Sequence, residues 1–159
     1  MPAVNLLSAL RQHPFVETFL PAHIDRLQTL AREVAFERDQ TIFREGDDTH
    51  EFFLIVTGRV ALEIIEPDHL LRVQTLGAGD EFGWSAVLMG RGKYFQARAL
   101  ESVQALAFDG GQLLDACRSD TGFGFALMYR MLGVVSERLQ ATRLQLHDMF
   151  SPKAKRAGT

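Results

Sequence analysis

The sequence predicts an α+β, mainly β fold: a barrel or roll of about eight strands, with short helices before it and a short and a long helix after it. Three observations carry this. Between Val34 and Asp109 the chain consists of short apolar or alternating runs separated by glycine and acidic turns, the pattern of a strand-rich roll. Outside those limits apolar residues recur three and four apart, the period of a helix. At 159 residues, 47% of them hydrophobic, the chain fits one domain with a real core.

Residues 1–33 are read as N-terminal helices. Asn5 can cap a first helix in which Leu6, Leu7 and Leu10 share a face, and Pro14 breaks it. A second begins near Pro21 and runs to about Ala31, with Ile24, Leu27, Leu30 and Ala31 at helical spacing. Residues 34–109 form the roll. Strands are expected at Val34–Phe36, Thr41–Phe43, Glu51–Val56, Arg59–Glu66, Leu70–Leu76, Phe95–Ala99 and Val103–Asp109. Turns fall at Glu45–Asp48, Thr57-Gly58, Glu66–His69 and Gly77–Asp80, all rich in residues suited to tight or left-handed backbone. Residues 110–150 are helical: a short helix through Gln112–Cys117, then a long one capped by Asp120 or Thr121 and running to about Phe150. Residues 151–159 read as a disordered polar tail.

Composition narrows the function classes. A net charge of -3 gives no overall basic surplus for a dedicated nucleic-acid binder. The single cysteine, Cys117, allows no internal disulfide and reads as a small buried hydrophobe. His13, His23, His50, His69 and His147 show no metal-ligand spacing, no motif pairs a nucleophile with a base, and no Cys pair supports haem attachment. No metal site, required cofactor or catalytic residue is expected, and the chain is not read as an enzyme. The N-terminus lacks the marks of a signal peptide and no apolar run spans a bilayer, so a cytoplasmic location without membrane contact is expected.

One stretch has the layout of a phosphate cradle. In Phe82-Gly83-Trp84-Ser85-Ala86-Val87 a glycine lets backbone approach a ligand and small residues follow; Lys93 then brings a cation just before Tyr94-Phe95. Arg91 and Arg98 are further cations able to attract an anion. Trp84, Tyr94 and Phe95 can either close the cavity or stack on a flat ligand.

Upstream, Ile42-Phe43, Gly46-Asp47, Phe52-Phe53-Leu54-Ile55 and Gly58 come in turn at a spacing that closely resembles the first signature of the cyclic nucleotide-binding domain. Residues 82–99 resemble its phosphate-binding cassette. Arg138-Leu139-Gln140-Ala141-Thr142 looks like the middle of the long dimer helix in the catabolite activator protein branch. The resemblance spans roughly Val34 to Phe150. It implies a β-roll (jelly roll) flanked by helices and a small ligand such as cyclic AMP, cyclic GMP or another anionic or aromatic molecule. The ligand-binding residues it points to are Phe82, Gly83, Trp84, Ser85, Lys93, Tyr94 and Phe95, with Thr142 and Arg143 from the helix. Five positions depart from the family's pattern. Trp84 stands where a Glu accepts from the ribose hydroxyl, and an indole cannot accept. Lys93 stands for an Arg, keeping charge but not the planar fork. Tyr94-Phe95 replace Ser/Thr-Ala, and Arg143 replaces a Ser. Each charge-assisted hydrogen bond is worth ~1.5 to 3 kcal/mol, so losing two weakens binding by roughly 100-fold or more.

Along the long helix Phe125, Met128, Leu132, Val135, Leu139, Thr142, Leu146 and Met149 lie alternately three and four apart, a sustained heptad seam. With Leu127, Met131 and Val134 covered on one flank, the seam is left for a second copy, and a parallel two-fold dimer is expected. In transcription factors of the family a helix-turn-helix begins near Phe150; none is seen in this sequence, so direct DNA binding is not expected. Two readings compete. One is a sensor module that binds a small ligand and relays it through the dimer helices to a protein partner. The other is a ligand-free dimerisation and interaction scaffold whose cavity is sealed by Trp84, Tyr94 and Phe95.

Overall fold

In the computed structural model, which describes residues 5–47, 50–88 and 95–151, each element starts where local chemistry favours it. The Asn5 carboxamide accepts from the Ser8 amide at 3.2 Å and opens α1 (Leu6–Leu10). Pro14 ends that helix in a 3-10 turn (Pro14–Val16), and Pro21 occupies the first position of α2 (Pro21–Leu30), where its missing N–H costs nothing. The strands are β1 (Ala31–Phe36), β2 (Thr41–Phe43), β3 (Glu51–Thr57), β4 (Val60–Ile65), β5 (Leu70–Leu76), β6 (Glu81–Phe82), β7 (Gln96–Ala99) and β8 (Val103–Asp109). Three helices complete the chain: α3 (Ser85–Leu88), α4 (Gly110–Ser119) and α5 (Thr121–Phe150). Asp109 caps α4 through the Gln112 amide at 2.9 Å, and Asp120, of the two expected alternatives, caps α5 through the Phe123 amide at 3.1 Å.

The eight strands form two antiparallel four-stranded sheets, ordered β1-β8-β3-β6 and β2-β7-β4-β5, which is the roll the sequence predicts. β1 begins at Ala31 rather than Val34. The Ala31 amide closes α2 on the Gln28 carbonyl while Ala31 already pairs with Phe108, so the strand starts where the helix stops. β6 and α3 are elements the sequence pattern does not predict. They are too short to leave a periodic trace.

The first sheet is buried on both faces. Phe53, Ile55, Ala105 and Ala107 enter the roll interior with Phe43, Val60 and Leu62, while Phe52, Leu54, Leu106 and Phe108 point the other way and are also buried. That explains the unbroken apolar runs of β3 and β8: each side chain has a core to enter. On the second face Phe15 of the 3-10 turn lies 5.3 Å from Phe52. His13 fixes this turn. Its Nδ1 accepts from the Phe15 amide at 3.1 Å, so its Nε2 carries the proton and donates to the Ile55 carbonyl at 3.0 Å. His13 is thus a buried fastener between the N-terminal segment and β3, unlike the exposed His69 on the β4–β5 turn.

The chain divides into two compact units, Met1–Ala126 and Leu127–Thr159. In the second, α5 carries buried Leu127, Met131 and Val134, the flank expected to be covered. Leu132, Leu139, Leu146 and Met149 of the seam are each more than half exposed, as is Phe125 at its start. The seam residue Thr142 is exposed too, and its hydroxyl donates to the Arg138 carbonyl of its own helix at 2.9 Å. Of the tail expected from residue 151, only Ser151 is among the described residues.

Candidate functional site

β6 sets the position of the candidate site. Phe82 pairs with Phe53 and its ring stacks on it at 4.7 Å and 12°, with Phe43 at 5.9 Å, so the Phe82 side chain belongs to the roll interior. Beyond Phe82 the chain leaves the sheet abruptly. Gly83 has φ +85, a left-handed conformation natural only to glycine, and it aims the chain into α3. The Ala86 amide bonds the Gly83 carbonyl, and the Val87 and Leu88 amides bond the Trp84 carbonyl, all at 3.0–3.1 Å. The amides of Trp84 and Ser85, at the start of this single turn, have no acceptor within the helix. Ser85, Ala86 and Val87 are buried, while Gly83 and Trp84 are partly exposed.

The turn is braced from behind. A Cβ on Gly110, the first residue of α4, would sit 2.3 Å from the Ala86 carbonyl oxygen, so α4 approaches α3 as closely as only glycine allows. The Gly110 amide in turn donates to the His50 carbonyl at 2.7 Å. No sequence signal distinguishes this glycine from the one beside it.

Downstream, Lys93 and Tyr94, with Arg91, lie outside the described residues. Phe95 is half-buried and packs against the same interior cluster that holds Phe82. Arg98 is committed elsewhere. On the outward face of the second sheet its Nε and Nη2 donate to the two oxygens of Glu63 at 3.0 and 2.9 Å, and its Nη1 to Asp39 at 3.2 Å. Gln96 adds a bond to Glu63 at 3.1 Å. The Arg98 fork holds the Glu63 carboxyl below its ordinary range, against the opposing effect of burial, and Glu63 raises Arg98 in return. Arg98, expected as a possible anion attractor, is therefore a structural partner of Glu63. The sequence does carry a signal for Glu63, a single acid inside the apolar run Val60–Ile65.

Thr142 and Arg143 are exposed residues of α5 in the second unit, whereas the cassette residues belong to the first. With its proton given to Arg138, the Thr142 hydroxyl has only lone pairs left to offer. Cys117 is partly buried rather than buried as expected, and burial pushes its thiol up, away from nucleophile behaviour. Among the described residues no group of three or more His, Cys, Asp or Glu could hold a metal ion, and no helix is long and apolar enough to cross a membrane.

Comparison with known proteins agrees with the fold. The family model of the cyclic nucleotide-binding domain matches residues 33–120. A CRP-like cAMP-activated global transcriptional regulator of Mycobacterium tuberculosis is 27% identical over 131 residues, 82% of this chain and 57% of the relative, so the chain spans little more than half of that protein. Among solved structures, a cyclic nucleotide-binding domain from Methylobacillus flagellatus superposes with a TM-score of 0.76 at 19% identity, covering 93% of this chain and 82% of the other. The catabolite activator protein of Thermus thermophilus gives a TM-score of 0.71 at 21% identity, covering 84% and 61%.

Proposed function

This chain belongs to the cyclic nucleotide-binding domain family, and from that premise we propose that it is a ligand sensor with an altered pocket, working as a dimer through α5. The observation that carries the reading is the Gly83 turn with α3 behind it. The turn leaves the Trp84 and Ser85 amides without an acceptor inside α3, which in this reading suits them to an anion, with the Ser85 hydroxyl and, from the sequence, Lys93 as further contacts.

In this reading the cyclic phosphate meets those amides, Ser85 and Lys93. Trp84 and Tyr94 give flat surfaces to the base. Trp84 leaves the ribose hydroxyl without its acceptor, so cyclic AMP and cyclic GMP bind more weakly than in members carrying Glu and Arg. The exposed seam from Phe125 to Met149 pairs two copies in parallel, because a heptad repeat sustained over that length buries its apolar stripe best against itself. Ligand then acts by binding one helix arrangement better than another. The output in this reading is a protein contact in the cytoplasm.

A specific observation favours a second reading. Phe95 packs on the aromatic interior with Phe82, and a pocket sealed by such rings would make the chain a ligand-free dimerisation scaffold. A thermal-unfolding scan against cyclic AMP, cyclic GMP and other nucleotides separates the two. A ligand held at a hundred times its Kd adds ~2.7 kcal/mol, and the sensor reading predicts a shift of several degrees that disappears in Lys93→Ala. No shift with any nucleotide, in protein free of bound ligand, supports the scaffold.

A further inference from the structure

We propose that His13 is a positioning residue for the Gly83 turn, so that the N-terminal segment sets where the Trp84 and Ser85 amides stand. As part of a binding site, this role rests on the sensor reading above and deepens it. β6 lies at the edge of its sheet and pairs with β3 at two positions, Phe53 with Phe82 and Leu54 with Glu81. A strand that short takes its register from the turn that delivers it.

That turn, Gly77–Asp80, carries the chain from β5 in the second sheet to β6 in the first. It is closed on itself by the Asp80 amide on the Gly77 carbonyl at 3.0 Å and by the Gly77 amide on the Asp80 carboxylate at 2.8 Å. It bonds to β3 at Ile55, whose amide donates to the Asp80 carbonyl at 2.9 Å and whose carbonyl accepts from the Gly79 amide at 3.0 Å. His13 ends on the same carbonyl, its Nε2 donating at 3.0 Å. Both lone pairs of the Ile55 carbonyl are thus used, one by the turn and one by the N-terminal segment. Pro14 reaches the turn as well: a Cβ on Gly79, which has φ +90, would lie 3.2 Å from the proline ring. Gly83 follows Asp80 by three residues, so a shift of this turn is passed through two residues of strand to the candidate site.

The two nitrogens of His13 do different work, and two substitutions separate them. Nδ1 accepts from the Phe15 amide at 3.1 Å and caps the N-terminal 3-10 turn, while Nε2 reaches Ile55. Asparagine keeps an acceptor where Nδ1 stands but is too short for Ile55. Glutamine places a donor where Nε2 stands and gives up the cap. Amide hydrogen exchange of the full chain without ligand reads Gly79–Val87, with β8 as the reference for overall stability. The expected result is exchange about tenfold faster over Gly79–Val87 in His13→Asn with β8 unchanged, and exchange within about twofold of wild type there in His13→Gln. Unchanged exchange of Gly79–Val87 in His13→Asn overturns the role. So does a rise matched by β8, which is a general loss of stability, or protection kept by asparagine and lost by glutamine. No ligand enters this measurement, so a chain that binds no nucleotide counts against the sensor reading and leaves the exchange result standing.

Discussion

At the scale of single residues, the described part of the roll holds one pairing whose loss should be felt in both stability and pH response. Glu63 is 2% exposed at its side chain and is gripped by Arg98, itself 22% exposed, with Gln96 alongside. Glu63→Gln keeps the shape but turns an acceptor pair into a mixed group facing Arg98. It should cost about 2 to 3 kcal/mol near neutral pH, read by urea unfolding. The sign with pH comes from the depressed carboxyl. Wild type carries this contribution fully above the ordinary glutamate value of 4.5 and loses it as pH falls through the lower folded-state value, so the gap between wild type and Glu63→Gln narrows in acid. An equal gap at every pH would mean the pairing contributes through shape alone. The same scale shows what single residues conceal. Asn5, Pro21, Asp109 and Asp120 act on neighbours three residues away or fewer, so their roles are legible in order along the chain. Arg98 reaches Glu63 across 35 positions and His13 reaches Ile55 across 42, and nothing local announces either partner.

At the scale of elements, long patterned runs are legible and the shortest elements mostly are not, three-residue β2 being the short strand whose predicted limits hold. β5 and β8 match their predicted limits because seven residues of strand show their pattern, and α5 can be read from its heptads over thirty residues. β6 has two residues and α3 four, too few for either period, yet these two elements carry Phe82 and Ser85 of the candidate site. Their placement comes instead from Gly83 and from the brace at Gly110, where α4 lies against the Ala86 carbonyl. Gly110→Ala should therefore force α3 to shift. A loss of about 1 to 3 kcal/mol in thermal unfolding is expected, together with a weaker response to nucleotide. Full stability with an unchanged ligand response would show that α3 is free to move away from α4 at no cost.

At the scale of the whole molecule, the fold belongs to its family, and function turns on whether the altered pocket proposed above still takes a ligand. The two-sheet roll and its doubly buried first sheet arise from the apolar patterning of the strands, so the fold class is readable before any coordinates. The pocket proposed above is readable in the sequence only as a set of substitutions, Trp84 for Glu and Lys93 for Arg, since neither residue carries the strand patterning from which the fold is read. A weakened pocket can be repaired, whereas a sealed one gains nothing from better polar groups. Isothermal titration of cyclic AMP and cyclic GMP into wild type and into the double variant Trp84→Glu, Lys93→Arg tests the sensor reading directly. The account predicts weak binding by wild type and an affinity gain of roughly 100-fold in the variant, as an acceptor for the ribose hydroxyl and a fork for the phosphate are restored. No binding heat in either protein, with both folded, would contradict it and leave the scaffold as the function of this chain.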